Sequence, residues 1–381
     1  MQSTLQKHGA GAQAPRGGIV RPVEHRDLVD VAALFQKTFR NSRDPAPASL
    51  IEYFGELFLN HPWLDDGLRS KVYLDADGAV AGFLGIVPAR MKLGDLSITA
   101  AYAGSYMVDR PQDNPLVGAR LLRAFLSGPQ DLFVSETANS IALGMWQKLG
   151  HHMEPSYSLN WLRMFGPARA AIDLAAHKVA AARLLAPIGA ATDWAIDRAL
   201  RKPLAPAKPD ERRYHAEDAD VATLAPVLQQ LSETFALRPD WKPEVLDWLL
   251  AHASRKALFG DIHCRVLRAP DGEPAGCAVY YGRPGAIAWV LQLLATPGAI
   301  ETVVDDMLFD AYGRGCAGIR GNGDPQSLPV LMNRKTLFFS RSVMLVSSRN
   351  PAILSELRSG RALVTGLAGE SWCRMIGDTF T

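Results

Sequence analysis

One short stretch of the sequence has the pattern of a helix with a defined start and end and with a ligand or another element packed against its side. Residues 139–151 read NSIALGMWQKLGH. Asn139 can cap the helix start, Lys148 lies near its negative end, and Gly150 can take the left-handed conformation that ends it. Glycine inside a helix costs about 1 kcal/mol relative to alanine. Gly144 therefore indicates that a ligand or a closely packed neighbour approaches the helix backbone.

A second candidate site is the start of an earlier helix, predicted over residues 117–126. Unpaired N–H groups at a helix start form an anion site, and a glycine lets a ligand approach them. Gly118 lies at this point, and Arg120 and Arg123 follow in the first turns. These arginines either add positive charge for a phosphate or are simply solvated surface residues.

Metal and redox chemistry have little support in the sequence. The adjacent His151 and His152 lack a metal-ligand partner at any known spacing. The cysteines show none of the close paired spacings of zinc or redox sites, and we interpret them as ordinary buried thiols. They are Cys264, Cys277, Cys316 and Cys373. We predict no metal.

Length and composition indicate two globular units in water. The chain has 381 residues, 48% of them hydrophobic and 21% charged, with a formal net charge of +2. This length exceeds what one core usually supports. No apolar run reaches the roughly 18 residues of a membrane span, and residues 1–17 read as a disordered polar tail rather than a secretory signal. We expect a cytoplasmic protein without nucleic-acid partners, since a basic face is not indicated.

The elements that must position these sites follow the order β-α-α-β-β-β-α-β-α-β. The pattern predicts a strand over 19–23, a helix capped by Asp27, a helix opened by Ser49, hairpin strands at 71–74 and 81–87, a strand over 96–108, the helix over 117–126, a strand over 131–136 and the helix at 139–150. Hydrophobic periodicity and turn residues carry these assignments.

The same order recurs later in the chain. The hairpin turn DGAVAG at 77–82 has a counterpart, DGEPAG, at 271–276, and a candidate helix at 243–252 precedes the second. We predict two copies of one fold, 18–166 and 210–381. The linker, 167–209, reads as one or two helices broken at Pro187 and Gly189. It either packs across the two domains or, as a basic amphipathic helix, lies on a membrane surface.

The first copy resembles the GCN5-related N-acetyltransferase (GNAT) family. Three stretches carry the resemblance: YMVDRPQDNPLVGARLLRAF at 106–125, LFVSETAN at 132–139, and the helix at 139–151. The resemblance implies an α/β (α+β) fold of two GNAT-like acyl-CoA N-acyltransferase domains, each a mixed, mostly antiparallel twisted sheet with flanking helices. In the phosphate loop only Gly118 matches the family, because Asp113 replaces the usual basic residue and Leu116 the first glycine.

The resemblance also implies where acetyl-CoA or another acyl-CoA donor binds. Pyrophosphate contacts would come from Val117, Gly118, Ala119 and Arg120, and the pantetheine arm would run beside Asn139 and Trp146. A backbone N–H from Tyr106, Met107 or Val108 would meet the acyl carbonyl oxygen and stabilise the oxyanion.

The residues for proton transfer depart from those of the family. Many members of the family have a tyrosine as general acid where this chain has Trp146, and indole has no proton of useful acidity. Tyr106, Tyr157 or a water would replace it, or the thiolate leaves unaided. Glu136, the only acid inside the strand beside the cleft, would deprotonate the amine. The alternative is a strand-end carboxylate that reaches solvent.

The second copy is predicted to be degenerate. The helix after its central strand, 288–295, carries Glu301, Asp305 and Asp306 where the first copy has arginines, and like charges repel a pyrophosphate. Its later helix, predicted over 326–339, lacks the Lys-Leu-Gly ending. Its aromatic residues either line the acceptor cleft or belong to the core; they are Trp241, Trp248 and Tyr280.

Acyl transfer from acyl-CoA to a primary amine of a small molecule or amino sugar is the function that these observations favour. Two alternatives remain open. One is an aminoacyl transferase resembling the peptidoglycan-bridge family, which the near-neutral charge disfavours. The other is a non-catalytic tandem binding or scaffold protein, favoured by the altered phosphate loop and by Trp146. The oligomeric state is left open.

Overall fold

The computed structural model describes residues 18–176, 179–199, 204–209, 213–375 and 378–380. The predicted tail at 1–17 lies outside them. Within this described part, no helix is long and apolar enough to cross a membrane.

The first copy has the predicted order of elements. They are β1 (Ile19–Pro22), α1 (Leu28–Phe39), α2 (Ala48–Phe58), β2 (Lys71–Leu74), β3 (Val80–Leu93), β4 (Leu96–Val108), α3 (Pro115–Leu126), β5 (Leu132–Ala138), α4 (Ser140–Lys148) and β6 (His152–Met153). Asp27 does not cap α1 as predicted. Its carboxylate instead pairs with Arg21 at 2.6 Å and accepts from the Glu24 N–H.

The middle of the chain holds two short elements and the connecting helices. They are α5 (Pro155–Ser158), β7 (Asn160–Met164), α6 (Pro167–Ala176) and α7 (Ala186–Ala199). The predicted break at Pro187 and Gly189 is wrong, because Pro187 lies in the first turn of α7, where proline is tolerated. Gly189 is needed for close packing, since a Cβ there would come within 2.5 Å of Ile172 in α6.

The second copy repeats the order, with a short strand added between its first two helices and a further strand and helix at its end. Its elements are β8 (His215–Asp218), α8 (Val221–Ser232), β9 (Leu237–Pro239), α9 (Pro243–Ser254), β10 (Asp261–Arg268), β11 (Pro274–Gly282), β12 (Ile287–Ala295), α10 (Ile300–Gly313), β13 (Gly318–Asn322), α11 (Leu328–Met332), β14 (Leu337–Phe339), β15 (Val343–Ser348) and α12 (Pro351–Arg358). The helix predicted over 326–339 is therefore wrong. Its first part is the short α11, and its last residues pair as a strand with β7.

The two sheets have matching strand orders. The first runs β1-β2-β3-β4-β5-β15-β6, with β9 added beside β3, and the second, read from its other end, runs β8-β10-β11-β12-β13-β7-β14. In each sheet one parallel pair, β4 with β5 or β12 with β13, lies among antiparallel neighbours. Both are mixed, mostly antiparallel sheets, as predicted.

The copies exchange one strand each. β15, from the end of the chain, pairs with β5 of the first copy, and β7, from before the linker, pairs with β13 of the second. One apolar core also joins residues of both copies, among them Phe54 of α2, Leu250 of α9 and Trp372 near the chain end. Neither sheet is therefore complete within the contiguous ranges 18–166 and 210–381.

Candidate active site

The parallel strands β4 and β5 part in the middle of the first sheet. They pair only from Ala100 with Leu132 to Tyr102 with Val134. Beyond this point β5 continues to pair with β15 on its other edge, and β4 with β3. The facing edges of Ala103–Val108 and Ser135–Ala138 are thus separated, which leaves a gap in the sheet.

A β-bulge lies in β4 at the edge of this gap. Phe83 pairs with Met107 and Gly85 with Gly104, so β4 carries one more residue than β3 over this stretch. Ser105 takes a left-handed conformation, with φ of 48°. Such a bulge redirects backbone groups and side chains, and here it turns Ser105 and Tyr106 toward the gap.

The gap opens into a cavity of about 510 Å³ between the two copies. From the first copy, β4, β5, α4 and the end of α1 line it. From the second come aromatic and basic side chains, which are Phe259, Trp289, Arg320, Phe339 and Arg341. The size is within the range of small-molecule sites, roughly 300–1,000 Å³.

A carboxyl group from the end of the chain occupies the gap itself. The Thr137 Oγ1 donates to Glu370 Oε1 at 2.9 Å. A Cβ on Gly104, across the gap, would meet Glu370 Oε2 at 2.5 Å. Gly104 and Thr137 both line the cavity, so Glu370 lies just behind its wall. The sequence analysis missed Glu370, and its only local signal is an acid in the glycine-rich stretch GLAGES, residues 366–371.

Glu136 is not directed into the cavity. Its buried carboxylate accepts from the Glu370 N–H at 2.6 Å, the Ser371 hydroxyl at 2.6 Å and the Gly366 N–H at 3.2 Å. Through these hydrogen bonds Glu136 holds the segment 366–371, near the end of the chain, against β5. It does not reach solvent at a strand end either.

These two buried carboxyl groups differ in their charge. Burial and, to a lesser extent, the nearby charge of Glu136 raise the pKa of Glu370 to about 8, against the opposing effect of the Thr137 hydroxyl. Burial also raises the pKa of Glu136, but its donors favour the anion. Because the pKa of Glu370 is about 8 and three groups donate hydrogen bonds to the Glu136 carboxylate, Glu136 carries the charge near neutral pH and Glu370 the proton.

Tyr106 reaches the cavity, where its hydroxyl lies 3.7 Å from the Met145 sulfur. Burial raises its pKa, so the phenol stays neutral. Gly118 packs on this side chain, because a Cβ there would meet the Tyr106 hydroxyl at 2.6 Å and the Met145 methyl at 3.1 Å. The predicted Gly118 therefore has a packing role that sequence reasoning did not anticipate.

The residues predicted to hold pyrophosphate are spread over several environments. Arg120 turns away from the helix start and donates to the Gly18 carbonyl and the Tyr73 hydroxyl, each at 3.2 Å. Val117 is buried in the core, and Ala119 is exposed. The first turn of α3 has no acidic residue, and the side chain of its N-cap residue, Asn114, donates to the Asp109 carbonyl at 3.3 Å and caps no N–H group of the helix.

Met107 and Val108 pair with β3 and do not line the cavity; Tyr106 does.

The helix α4 behaves as its sequence predicts. The Asn139 side chain accepts from the Ala142 N–H at 2.9 Å, and Gly150 has φ of 82°. No atom of the described residues lies within 4 Å of a Cβ placed on Gly144, so close packing does not require this glycine. Trp146 is buried, lines the cavity and contacts Phe125 and His151.

Other predicted aromatic contacts lie elsewhere. The Tyr157 hydroxyl donates to the Ala362 carbonyl at 3.0 Å, outside the main cavity. Trp248 stacks on His252, Trp241 is buried, and Tyr280 hydrogen bonds to Asp310 in the second core. None of these three residues lines the main cavity: Trp241 and Tyr280 are core residues, and Trp248 is half-buried, packs against the core and borders a separate surface pocket.

In the second copy the equivalent gap is filled. Past the pairing of Trp289 with Arg320, the Gln292 side chain accepts from the Leu367 N–H at 3.0 Å. Only about 40 Å³ of space remains there. At the start of α10, Arg334 pairs with Glu301 and Asp305, each at 2.6 Å. The four cysteines are buried thiols, as predicted.

Comparison with known proteins finds relatives by structure. No protein-family model and no curated protein matches the sequence. A GCN5-related N-acetyltransferase from Anabaena variabilis aligns with a TM-score of 0.56 at 10% identity, over 88% of this chain and 73% of that one. Both copies have the GNAT fold.

Two further structures support this assignment of the fold. A GCN5-related N-acetyltransferase from Kribbella flavida gives a TM-score of 0.51 at 13% identity, over 87% of this chain and 71% of that one. A conserved Enterococcus faecalis protein of unknown function gives 0.55 at 10% identity, over 87% and 72%. These neighbours are longer than this chain.

Proposed function

We propose that the protein is an acyl-CoA-dependent N-acyltransferase, which transfers an acyl group to a primary amine at the first copy. The observation that carries the proposal is the parting of β4 and β5 into a cavity of about 510 Å³. A backbone N–H of the bulge at Ser105 and Tyr106 polarises the acyl carbonyl. Removal of one such donor in other enzymes costs about 3 to 4 kcal/mol of transition-state stabilisation.

The donor lies between α3 and α4. Open space beside Gly144 leaves room for the pantetheine arm along α4. The uncapped start of α3, without an acid in its first turn, supplies N–H groups for the pyrophosphate. Trp146 forms an apolar wall, and Tyr106, the one predicted tyrosine at the cavity, donates a hydrogen bond to the departing thiolate.

Thr137 and Glu370 take the proton of the attacking amine. The amine donates to the Thr137 oxygen as the Thr137 hydroxyl proton passes to Glu370 Oε1, 2.9 Å away. A base works best with a pKa near the operating pH, and Glu370, with a pKa of about 8, meets that condition. The charged Glu136 stabilises the protonated product state.

Calorimetric titration with acetyl-, octanoyl- and palmitoyl-CoA, followed by detection of free thiol with amine acceptors, tests the function. Binding with thiol release supports acyl transfer, and a chain-length preference identifies the donor. Absence of binding to all three would end the proposal. Binding without turnover would favour a second candidate function, a non-catalytic binding protein. The observation that favours this candidate is Trp146, which stands where many members of the family have a tyrosine as general acid.

Thr137 offers a conservative pair of variants for the proton path. We expect Thr137→Val to lower kcat by about 100-fold, the low end of general-base effects, without changing acyl-CoA affinity. Thr137→Ser keeps the hydroxyl and should stay close to the parent. The parent rate should rise with pH through about 8, as Glu370 loses its proton. Equal rates for the Val and Ser variants would remove Thr137 from the mechanism.

A further inference from the structure

The side of the cavity contributed by the second copy is basic and aromatic. Arg320 and Arg341 both line it, with Phe259 and Trp289 beside them. The Arg320 guanidinium lies 5.4 Å from the centre of the Phe259 ring, and Phe259 packs edge-on against Trp289 with ring centres 4.7 Å apart. None of the residues lining this cavity carries a carboxylate side chain.

Neither arginine is paired with a carboxylate of the described residues. Within the ranges that the structure describes, no hydrogen bond or ion pair joins Arg320 or Arg341 to a carboxylate. Asp173, the acid whose charge acts on Arg320, lies 3.8 Å from Arg283 and accepts from the Ile287 N–H. A third arginine that lines the cavity, Arg40, already has a partner, because it donates a hydrogen bond to the Asp378 carbonyl.

Two neighbouring guanidinium groups at a partly buried cavity are unfavourable in free energy. Arg320 is half-buried, and burial together with the repulsion of Arg341 lowers its pKa. A partly buried charge without a partner is unfavourable, and an anion that joins two guanidinium groups relieves both the desolvation and the repulsion. Such a pair is typical of a site for a carboxylate or phosphate.

We propose that the acceptor amine carries an anionic group on an apolar or aromatic body, and that Arg320 and Arg341 bind this group. The inference rests on the proposed acyltransfer at the same cavity. The amine faces Thr137 on one wall, the aromatic body lies against Phe259 and Trp289, and the anion meets the arginines. Polycationic acceptors are disfavoured by the same two charges.

Two probes of equal ring structure test the charge preference. Indole-3-acetate carries a carboxylate, and tryptamine carries an ammonium group in its place. We expect the full-length protein to bind indole-3-acetate at least about tenfold more tightly in calorimetry, because hydrogen bonds between charged groups discriminate by at least that much. Equal affinity, tighter binding of tryptamine, or no binding of the acid would overturn the proposal.

Substitution of each arginine tests whether Arg320 and Arg341 cause the preference for the carboxylate probe. Arg320→Gln and Arg341→Gln should each remove most of it, and Arg341 is exposed, so its variant should fold. Arg26→Gln, which removes an equal charge from a surface ion pair with Glu24, is the control and should change nothing. Retention of the preference in both cavity variants would refute the assignment.

A competition experiment with CoA distinguishes the acceptor site from the donor site. Saturating CoA should leave the binding of indole-3-acetate intact, because the acid and CoA occupy different parts of the cavity. Competition would place the arginines in the donor site and overturn the inference without touching acyl transfer. Conversely, a protein that binds no acyl-CoA but retains the arginine-dependent acid site would defeat the proposed function instead.

Discussion

At the scale of single residues, the pair Glu136 and Glu370 links stability to pH. The folded protein holds the Glu370 proton up to about pH 8, whereas a glutamate in an unfolded chain titrates near about 4.3. Between these values the folded state binds more protons than the unfolded state. The free energy of unfolding must therefore fall as pH rises through this window.

Glu370→Gln should abolish this part of the pH dependence. We expect the free energy of unfolding of the variant, relative to the parent, to increase by at least about 1 kcal/mol between about pH 5 and about pH 8. Urea unfolding followed by circular dichroism across this range measures the difference. A difference that stays constant with pH would mean that Glu370 is not protonated in the folded protein.

Gly118 and Tyr106 are coupled by contact. Gly118→Val should destabilise the protein by about 1–3 kcal/mol, as overpacking does, because the added Cβ meets the Tyr106 hydroxyl at 2.6 Å. In a Tyr106→Phe background the nearest atom of that ring lies 3.5 Å away, so the cost should shrink. A double-mutant cycle by chemical denaturation measures the coupling, and strict additivity would speak against the contact.

At the scale of elements, the exchanged strands decide what can fold alone. A fragment ending at residue 209 lacks β15, so the edge of β5 loses its partner and the sheet loses the buried Met344, Leu345 and Val346. An unpaired inner edge favours aggregation. We expect this fragment to lack a cooperative thermal transition by circular dichroism.

A matched fragment clarifies the cause. The same fragment with residues 340–349 attached by a flexible linker should recover a measurable transition, because it restores the β5 pairing. A well-folded shorter fragment would show that β15 is dispensable for the first sheet.

At the scale of the whole molecule, the last segment of the chain distinguishes the two copies. It fills the gap between β12 and β13 through the bond of Leu367 to Gln292, whereas it leaves a cavity beside β4 and β5. Ion pairs to Arg334 also hold the acids at the start of α10. The second copy thus supplies one wall of the cavity beside β4 and β5.

Titration of the full-length protein should therefore give one CoA per chain. The negative charges at the start of α10 and the filled gap between β12 and β13 each oppose the binding of a second CoA molecule. Calorimetry gives the stoichiometry directly. Two molecules per chain would show that the second gap opens in solution and that the segment around Leu367 is displaced.

The sequence alone determined the features that depend on neighbours along the chain. Asn139 and Gly150 mark the ends of α4, the Asp-Gly turns mark the hairpins, and the order of elements in the first copy follows from periodicity, because caps, turns and amphipathic faces act over a few residues. Gly144 likewise signalled open space beside a helix.

Only the tertiary structure decided which distant residues meet. The partner strand of β5 comes from 343–348, Glu370 reaches the gap beside Thr137 across more than half the chain, and Arg320 joins a cavity formed mainly by the other copy. The roles predicted for Glu136 and for the helix at 326–339 depended on such meetings. Local propensity says nothing about them, because long-range pairing is selected by the burial of whole faces and by the satisfaction of buried polar groups.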